Sequence, residues 1–242
     1  NEIGLPLCAL ELDSRKSTAI FEMGAAKSGD IDLLSKIINP KIGIITHIGH
    51  SHLEGLSSIN GVLKVKSELI KNITKNGIAI VPDGKYLNYW KRMRKDITFF
   101  SFGRKSSASY FPSQIKMSRN GLSFYIESSN LKKRVRIKTK LIGMHNVLNI
   151  LASFAATHAG NMNVEKFSDN LQDMQNHPQR LGLKTWVKQT KVIDDTYNAN
   201  PDSMLAAIEA LSELQVIKCM VLADMGELGE KSGHSHLEVL TK

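Results

Sequence analysis

Three histidines lie close together where a buried strand is expected to end. The apolar run at residues 42–48 is typical of a strand in a parallel sheet that is covered on both faces. His47, His50 and His52 lie at the carboxyl end of this run, the edge at which open α/β sheets place their ligands. Because imidazole nitrogens bind metal ions, this loop is a candidate metal or phosphate site.

A lysine with an unusual position follows on the next predicted helix. Val62, Val65, Leu69 and Ile73 recur at helical spacing and form an apolar stripe. Lys66 starts on this inward face, where an unpaired ammonium group is costly. The side chain either extends to solvent along its apolar stem or serves a metal or phosphate site beside the histidines, and the pattern alone leaves both interpretations open.

A carboxylate is expected at the same edge of the sheet. Residues 17–24 predict a short apolar strand with Glu22 near its end, where the side chain either reaches solvent or faces the ligand edge. We expect Glu22, His52 and Lys66 to emerge at the carboxyl ends of adjacent strands and to meet there. One carboxylate and one imidazole suit Mg²⁺ or Mn²⁺, with phosphate and water completing the coordination.

Zinc is the alternative metal for the histidine loop. The group His47, His50 and His52 contains an H-x-H pair of the kind that recurs in metal-dependent hydrolases, so a zinc-dependent hydrolase is a second hypothesis. The nearby Glu54 and Asp83 have no spacing that completes a tetrahedral zinc site.

The order of the predicted elements indicates an α/β fold. Strands and helices alternate through the first part of the chain, which is typical of βαβ units and a mostly parallel sheet with flanking helices. Within residues 97–141, stretches of alternating polarity around turns predict a small antiparallel appendage. A linker at residues 176–180 precedes a strand at residues 191–195, and Asn200 is expected to cap the helix that starts at Pro201. A further strand is expected at residues 219–222. The two predicted domains are residues 1–180 and residues 181–242, the latter being part of a second, Rossmann-like domain.

The composition excludes some classes of protein. No apolar run approaches the ~20 residues that a membrane-spanning helix needs, so membrane insertion is not expected. The net charge of +9 is mostly lysine, and its densest cluster, at residues 132–140, lacks the interleaved aromatic residues of a nucleic-acid site. Cys8 and Cys219 lie in apolar surroundings, and we expect two buried free thiols in a reducing cytoplasm.

Five segments, in this order and spacing, resemble motifs of the Mur ligase family. They are residues 21–25, 49–58, 61–68, 143–149 and 194–203. The resemblance implies a cytoplasmic, monomeric, ATP-dependent amide-bond ligase of peptidoglycan precursor synthesis, and hence a role in cell-wall biogenesis, cell shape and cell division. Residues 194–203 and 223–229 are most similar to the member that joins D-alanyl-D-alanine to UDP-N-acetylmuramoyl-tripeptide through an acyl phosphate.

The resemblance also assigns roles to individual residues. It implies that Glu22 and His52 hold Mg²⁺, and that Lys66 is carbamylated and helps to bind a second Mg²⁺. These three residues form the implied catalytic set. The residues implied to contact ATP are Asn146, Asn149, Arg180, Asp195 and Tyr197, and those implied to face the substrate in the same cleft are Asn198 and Asn200.

The two implied nucleotide-binding asparagines also stand out by position. Asn146 lies near the start of a predicted helix, where asparagine is often a cap. Asn149 lies one turn further inside, where asparagine is unfavourable, so a ligand is a plausible reason for it. A cap and a ligand contact both remain open for Asn146.

One motif of the family is missing from these 242 residues. The phosphate-binding loop G-x-x-x-x-G-K-S/T does not occur in them. The resemblance implies that the N-terminal domain, this loop and the end of the C-terminal domain are missing. We therefore expect the chain to be inactive alone, and a non-catalytic homologue acting as a basic binding module is a third hypothesis.

Overall fold

The structure is a computed structural model that describes residues 1–13, 15–49, 53–56, 58–118, 121–212, 217–229 and 232–242. The chain divides into two compact units, Asn1–Phe100 and Ser101–Lys242. Of the helices in the described ranges, none has both the length and the apolar content that crossing a bilayer requires.

The first unit is built around a parallel strand pair with helices packed on it. Its described helices are α1 (Gly4–Leu10), α2 (Asp30–Ile38), α3 (Leu53–Leu56), α4 (Ile59–Asn72) and α5 (Leu87–Met93). Strand β1 (Ile42–Ile44) runs parallel to β2 (Ile78–Pro82), and β3 (Thr98–Phe102) lies on the other side of β2. The parallel pairing of β1 with β2 agrees with the predicted mostly parallel sheet.

Helix α4 forms where the apolar pattern predicts it. The side chain of Ser58 accepts a hydrogen bond from the backbone N–H of Gly61 and caps the first turn. Val62, Val65 and Ile73 are buried, as the stripe requires. The predicted stripe thus faces the core of this unit.

Two strand predictions for the first unit are wrong in whole or in part. Residues 17–24 form no strand, and Ile20 is 90% exposed. Strand β1 ends at Ile44, although the N–H of Ile45 still donates to the carbonyl of Ile80. A strand needs a neighbour for its backbone hydrogen bonds, and no described strand lies beside residues 17–24.

The second unit begins with the predicted antiparallel appendage. Strands β4 (Phe111–Ser118), β5 (Gly121–Glu127) and β6 (Val135–Thr139) form an antiparallel sheet in that order. Helices α6 (Met144–Ala159) and α7 (Val164–Gln172) follow. This part of the prediction is confirmed.

The end of the chain is only partly as expected. The remaining elements are β7 (Gly182–Thr185), a 3₁₀ turn (Val187–Gln189), β8 (Lys191–Asp194), α8 (Pro201–Ser212) and α9 (Ser232–Leu240). Strands β7 and β8 pair antiparallel. Residues 219–222 are not a strand, because no described strand lies alongside to pair with them. The predicted domain boundary at residue 180 falls in the irregular segment between α7 and β7 and remains a prediction.

The prediction of buried cysteines is wrong. Cys8 and Cys219 are both free and exposed. Helix α1 buries Leu5 and leaves most of its other side chains accessible, and Cys219 lies in an irregular segment. Apolar neighbours in sequence did not imply burial here, because the sides of these segments that carry the cysteines remain accessible.

Candidate functional site

Helix α4 brings Lys66 to the carboxyl end of β1. The side chain is half-buried, and its Nζ atom donates a hydrogen bond to the backbone carbonyl of His47 at 2.8 Å. His47 lies three residues after Ile44, the last residue of β1. The ammonium group therefore lies at the edge of the sheet where the sequence places the histidine loop, held by a backbone oxygen rather than extended into solvent.

Of the other two residues of the predicted metal site, Glu22 lies in the described part of the chain and His52 does not. Glu22 is exposed and lies in the wall of a cavity of about 480 Å³, which it shares with Leu5, Cys8 and Phe21. His50 and His52 lie outside the described residues, so their predicted meeting with Lys66 stays a prediction. In the described part of the chain, no three His, Cys, Asp or Glu side chains form a group that could hold a metal ion.

The segment between Glu22 and α2 is fixed by two carboxylates. Asp30 accepts hydrogen bonds from the N–H groups of Ala26 and Lys27, both at 3.0 Å. The bond from Lys27 is the main reason why the pKa of Asp30 lies below its usual value. The second carboxylate is Glu68 of α4, which is buried and accepts from the N–H group of Gly29 at 2.9 Å.

Sequence reasoning did not single out Glu68. A signal was available, because Glu68 lies three residues after the buried Val65 and two after Lys66, close to the apolar stripe of the helix. A charged residue at such a position predicts a buried partner. The identity of that partner, 36 to 40 residues away in sequence, could not be predicted.

In the second unit, Asn146 and Asn149 lie on the first turns of α6. The N-cap of this helix is Gly143, so the prediction that Asn146 is the cap is wrong. Its Nδ2 atom instead donates to the carbonyl of Ile142 at 2.7 Å. Asn149 is exposed, and the two side chains, three residues apart, share one face of the helix.

Arg180 and Tyr197 form an exposed stack. The guanidinium carbon of Arg180 lies 4.0 Å from the centre of the Tyr197 ring, which is a cation–π contact. The ring of His177 meets that of Tyr197 edge-on, with centres 6.4 Å apart. The N–H of Tyr197 donates to the carbonyl of Gln179 at 3.1 Å. Tyr197 remains 58% exposed, so this stack offers a cation and an aromatic ring to a ligand.

Asp195 contacts the residue that follows the linker. Its Oδ1 atom accepts a hydrogen bond from the N–H of Leu181 at 3.0 Å. The neighbouring Asp194 is hydrogen-bonded to Lys184 and Thr196, and the Lys184 contact lowers the pKa of Asp194 to about 2. Arg180 thus lies on the linker, and Asp195 and Tyr197 lie in the loop after β8. All three belong to the second unit.

The two predicted substrate residues differ in exposure and in their role in the fold. Asn198 is exposed, and its Oδ1 atom accepts from the N–H of Ala199 at 2.9 Å. Asn200 caps α8 as predicted, because its Oδ1 atom accepts from the N–H of Ser203 at 2.9 Å and Pro201 is the first residue of the helix. One acceptor site of the Asn200 amide is therefore used inside the chain.

His145 is a second residue that sequence reasoning missed. Its Nδ1 atom is buried and has no hydrogen-bond partner among the described residues. Burial lowers the pKa of His145, while the charges of Asp195 and Glu209 act in the opposite direction. Gly143 has φ 90°, and a Cβ atom there would lie 2.5 Å from Cε1 of the imidazole, so this ring packs directly under a glycine.

Comparison with known proteins adds an independent observation. Residues 1–157 match the family described as Mur ligase middle domain, and residues 179–242 match the one described as Mur ligase, glutamate ligase domain. The UDP-N-acetylmuramoyl-tripeptide–D-alanyl-D-alanine ligase of Buchnera aphidicola subsp. Baizongia pistaciae is 36% identical over 233 residues, which are 95% of this chain and 50% of the relative.

Solved structures give the same result for the fold. A crystal structure of MurF from Acinetobacter baumannii superposes on this chain with a TM-score of 0.91 and 32% sequence identity. The match covers 98% of this chain and 51% of that one. The MurF ligase from Thermotoga maritima in complex with ADP has a TM-score of 0.78 and 26% identity, with 90% and 50% covered. The chain thus spans about half the length of the relatives it matches. Neither the zinc-hydrolase hypothesis nor the non-catalytic one is favoured by these similarities.

Proposed function

Because the chain belongs to the Mur ligase family, we propose that it carries part of the ATP-dependent ligase that joins D-alanyl-D-alanine to UDP-N-acetylmuramoyl-tripeptide. The similarity to ligases with this activity along nearly the whole chain supports the reaction. The observation that carries the chemistry is the position of Lys66, whose Nζ atom lies against the His47 carbonyl at the carboxyl end of β1. The proposal includes the cytoplasm as the site of action and a monomer as the working form.

The proposed reaction makes an amide bond in two steps. ATP phosphorylates the terminal carboxylate of the tripeptide, which gives an acyl phosphate and ADP. The amine of D-alanyl-D-alanine then attacks the acyl carbon, and the tetrahedral intermediate expels phosphate while the amine loses a proton. Both steps develop negative charge that a protein must stabilise.

The proposed metal site consists of Glu22, His52 and Lys66. Bound Mg²⁺ would neutralise charge on the phosphoryl group and on the developing oxyanion. Carbamylation gives Lys66 a carboxylate in place of its ammonium group, and two carboxylates are a hard oxygen-donor set that suits Mg²⁺. Lys66 is half-buried and its Nζ atom already lies beside a backbone oxygen at the sheet edge, which fits such a role.

The proposed nucleotide-binding residues belong to the second unit. Arg180 and Tyr197 offer a cation and an aromatic ring, which suit the phosphates or ribose of ATP. We assign Asp195 to a ribose hydroxyl, and Asn146 and Asn149 to the nucleotide. Asn198 and Asn200 are assigned to the substrate. We expect the 242 residues alone to turn over no ATP, because they contain no G-x-x-x-x-G-K-S/T loop to clamp its phosphates.

The carbamylation of Lys66 provides a direct test. In bicarbonate labelled with ¹³C, the chain should show a carbamate carbon resonance by NMR, and the K66R variant should lose it. Lys64 is exposed on the same helix, so K64R is the matched control and should keep the resonance. A resonance that survives in K66R would overturn the assignment. Tightly held, stoichiometric zinc in the purified chain would instead favour the zinc-dependent hydrolase.

A further inference from the structure

Glu68 is a buried carboxylate whose two oxygens are both used. Its Oε1 atom accepts from the N–H of Gly29 at 2.9 Å and from the hydroxyl of Ser28 at 3.4 Å. Its Oε2 atom accepts from the N–H of Asp32 at 3.0 Å. The residue is 7% exposed, so these groups rather than water satisfy the charge.

These contacts connect two helices that are distant in sequence. Gly29 is the N-cap of α2 and has no side chain, so this helix lacks a cap of its own. Glu68 on α4 supplies the missing acceptor for the first N–H groups of α2. The start of α2 is therefore fixed directly to the helix that carries Lys66.

The segment that leads into this helix start begins at Glu22, and Glu68 contacts its last two residues, Ser28 and Gly29. Residues 22–29 run from that carboxylate to the N-cap of α2, and Ala26 lies in the middle of them. A Cβ atom at Gly55 would lie 2.2 Å from the carbonyl oxygen of Ala26, so α3 packs tightly on this segment. Gly55 comes three residues after His52 in the chain.

We propose that Glu68 is a positioning residue for the metal site: it holds residues 22–29, and α3 through them, in a fixed place against Lys66. This inference rests on the proposed function, because the residues that it would position are those assigned to Mg²⁺. Groups that orient metal ligands from outside the coordination shell commonly affect metal affinity by 10–100-fold.

Charge as well as shape is needed in this role. Both oxygens accept from N–H donors, whereas a glutamine has one oxygen and one NH₂ group. In E68Q, the NH₂ group would face an N–H group of Gly29 or Asp32 and leave that donor unsatisfied. This variant keeps the size of the side chain but removes its negative charge and its ability to accept hydrogen bonds on both sides.

The matched control is the neighbouring residue Ser67. It is fully buried on α4, and its Oγ atom accepts from Nε1 of Trp90 at 2.7 Å. S67A therefore also removes a buried hydrogen bond from this helix, but one that does not reach residues 22–29. Both variants should lose thermal stability.

The experiment is a titration of the 242-residue chain with Mn²⁺, followed by electron paramagnetic resonance. We expect E68Q to bind Mn²⁺ about tenfold more weakly than the parent or worse, and S67A to bind within about twofold of it. Hydrogen exchange should become faster at residues 22–32 in E68Q and stay near the parent rate there in S67A.

Two results would distinguish a failure of the proposed metal site from a failure of the role of Glu68. A parent chain that does not bind Mn²⁺ would overturn the metal site of the proposed function, and the positioning role with it. A parent that binds Mn²⁺, with E68Q unchanged in affinity or in exchange at residues 22–32, would overturn the role of Glu68 alone. Equal weakening in E68Q and S67A would also overturn it, because general destabilisation would then explain the effect.

Discussion

The two regions that carry the candidate functional residues are held in different ways. In the first unit, the helix of Lys66 is fixed by hydrogen bonds to buried side chains: Glu68 accepts from N–H groups at the start of α2, and Ser67 accepts from Trp90. In the second unit, Arg180 and Tyr197 are exposed and contact each other across 4.0 Å. A lost buried hydrogen bond leaves a group without water, whereas an exposed group is solvated again.

This difference suits the two proposed tasks. A metal site requires ligands in a fixed geometry, and the first unit provides buried contacts that fix the helix of Lys66. An exposed stack of an arginine on a tyrosine can adjust when a nucleotide binds. We therefore expect substitutions of buried residues in the first region to lower the free energy of unfolding. Substitutions of exposed residues in the second region should act mainly on ligand affinity.

The two tryptophans of the chain give the largest contrast. Trp90 is completely buried in the first unit, and Trp186 is 67% exposed in the second. W90A should lower the free energy of unfolding by about 3–5 kcal/mol, because it removes a large core side chain and leaves a cavity. W186A should change it by no more than about 0.5 kcal/mol. Urea unfolding followed by far-UV circular dichroism measures both, and equal losses would contradict the comparison.

His145 is an exception in the second unit, because its Nδ1 atom is buried whereas Arg180 and Tyr197 are exposed. Burial lowers its pKa below the ordinary 6.5. The unfolded chain therefore binds more protons than the folded one below about pH 6.5, so this contribution is present above that pH and is lost as the pH falls. Urea unfolding at several pH values from about 7 to about 5 should show a smaller decline in H145Q than in the parent.

The control for this prediction is H177Q. His177 is exposed in the same unit, so its replacement should leave the decline as it is in the parent. If H145Q and the parent declined equally, the buried imidazole would not be the group that titrates.

A small effect on stability is expected at Arg180. An exposed cation–π contact contributes about 0.5–1 kcal/mol, so R180A should reduce the free energy of unfolding by no more than that. Its affinity for a fluorescent ATP analogue should fall by about tenfold or more, because a charged hydrogen bond to the ligand is lost. Arg104 is also exposed, and R104A is the control that should change neither quantity. Unchanged nucleotide affinity in R180A would remove Arg180 from the proposed site.

Much of the local structure was predictable because it depends on local rules. The apolar stripe of α4, the antiparallel pairing of β4 with β5 and the cap by Asn200 before Pro201 are all confirmed. Each of them is decided by residues within a few positions of one another, through side-chain periodicity, turn geometry or a capping hydrogen bond.

The wrong predictions share a different cause. Residues 17–24 and 219–222 have apolar sequences suited to strands, yet they are irregular in the structure. Whether such a run becomes a strand depends on a neighbouring strand that supplies hydrogen bonds. The exposure of Cys8 and Cys219 has the same origin, since burial depends on what another segment covers.

The sequence by itself determined the family, the order of most helices and strands, and the residue types available for chemistry, because periodicity and motifs are read along the chain. The tertiary structure alone decided that Glu68 caps a helix 36 to 39 residues before it, that the Lys66 ammonium donates to the His47 carbonyl, and that the Nδ1 atom of His145 is buried with no hydrogen-bond partner in the described part of the chain. These facts are contacts between distant segments or depend on them. Their energies come from desolvation and hydrogen-bond geometry, which exist only once the chain has folded.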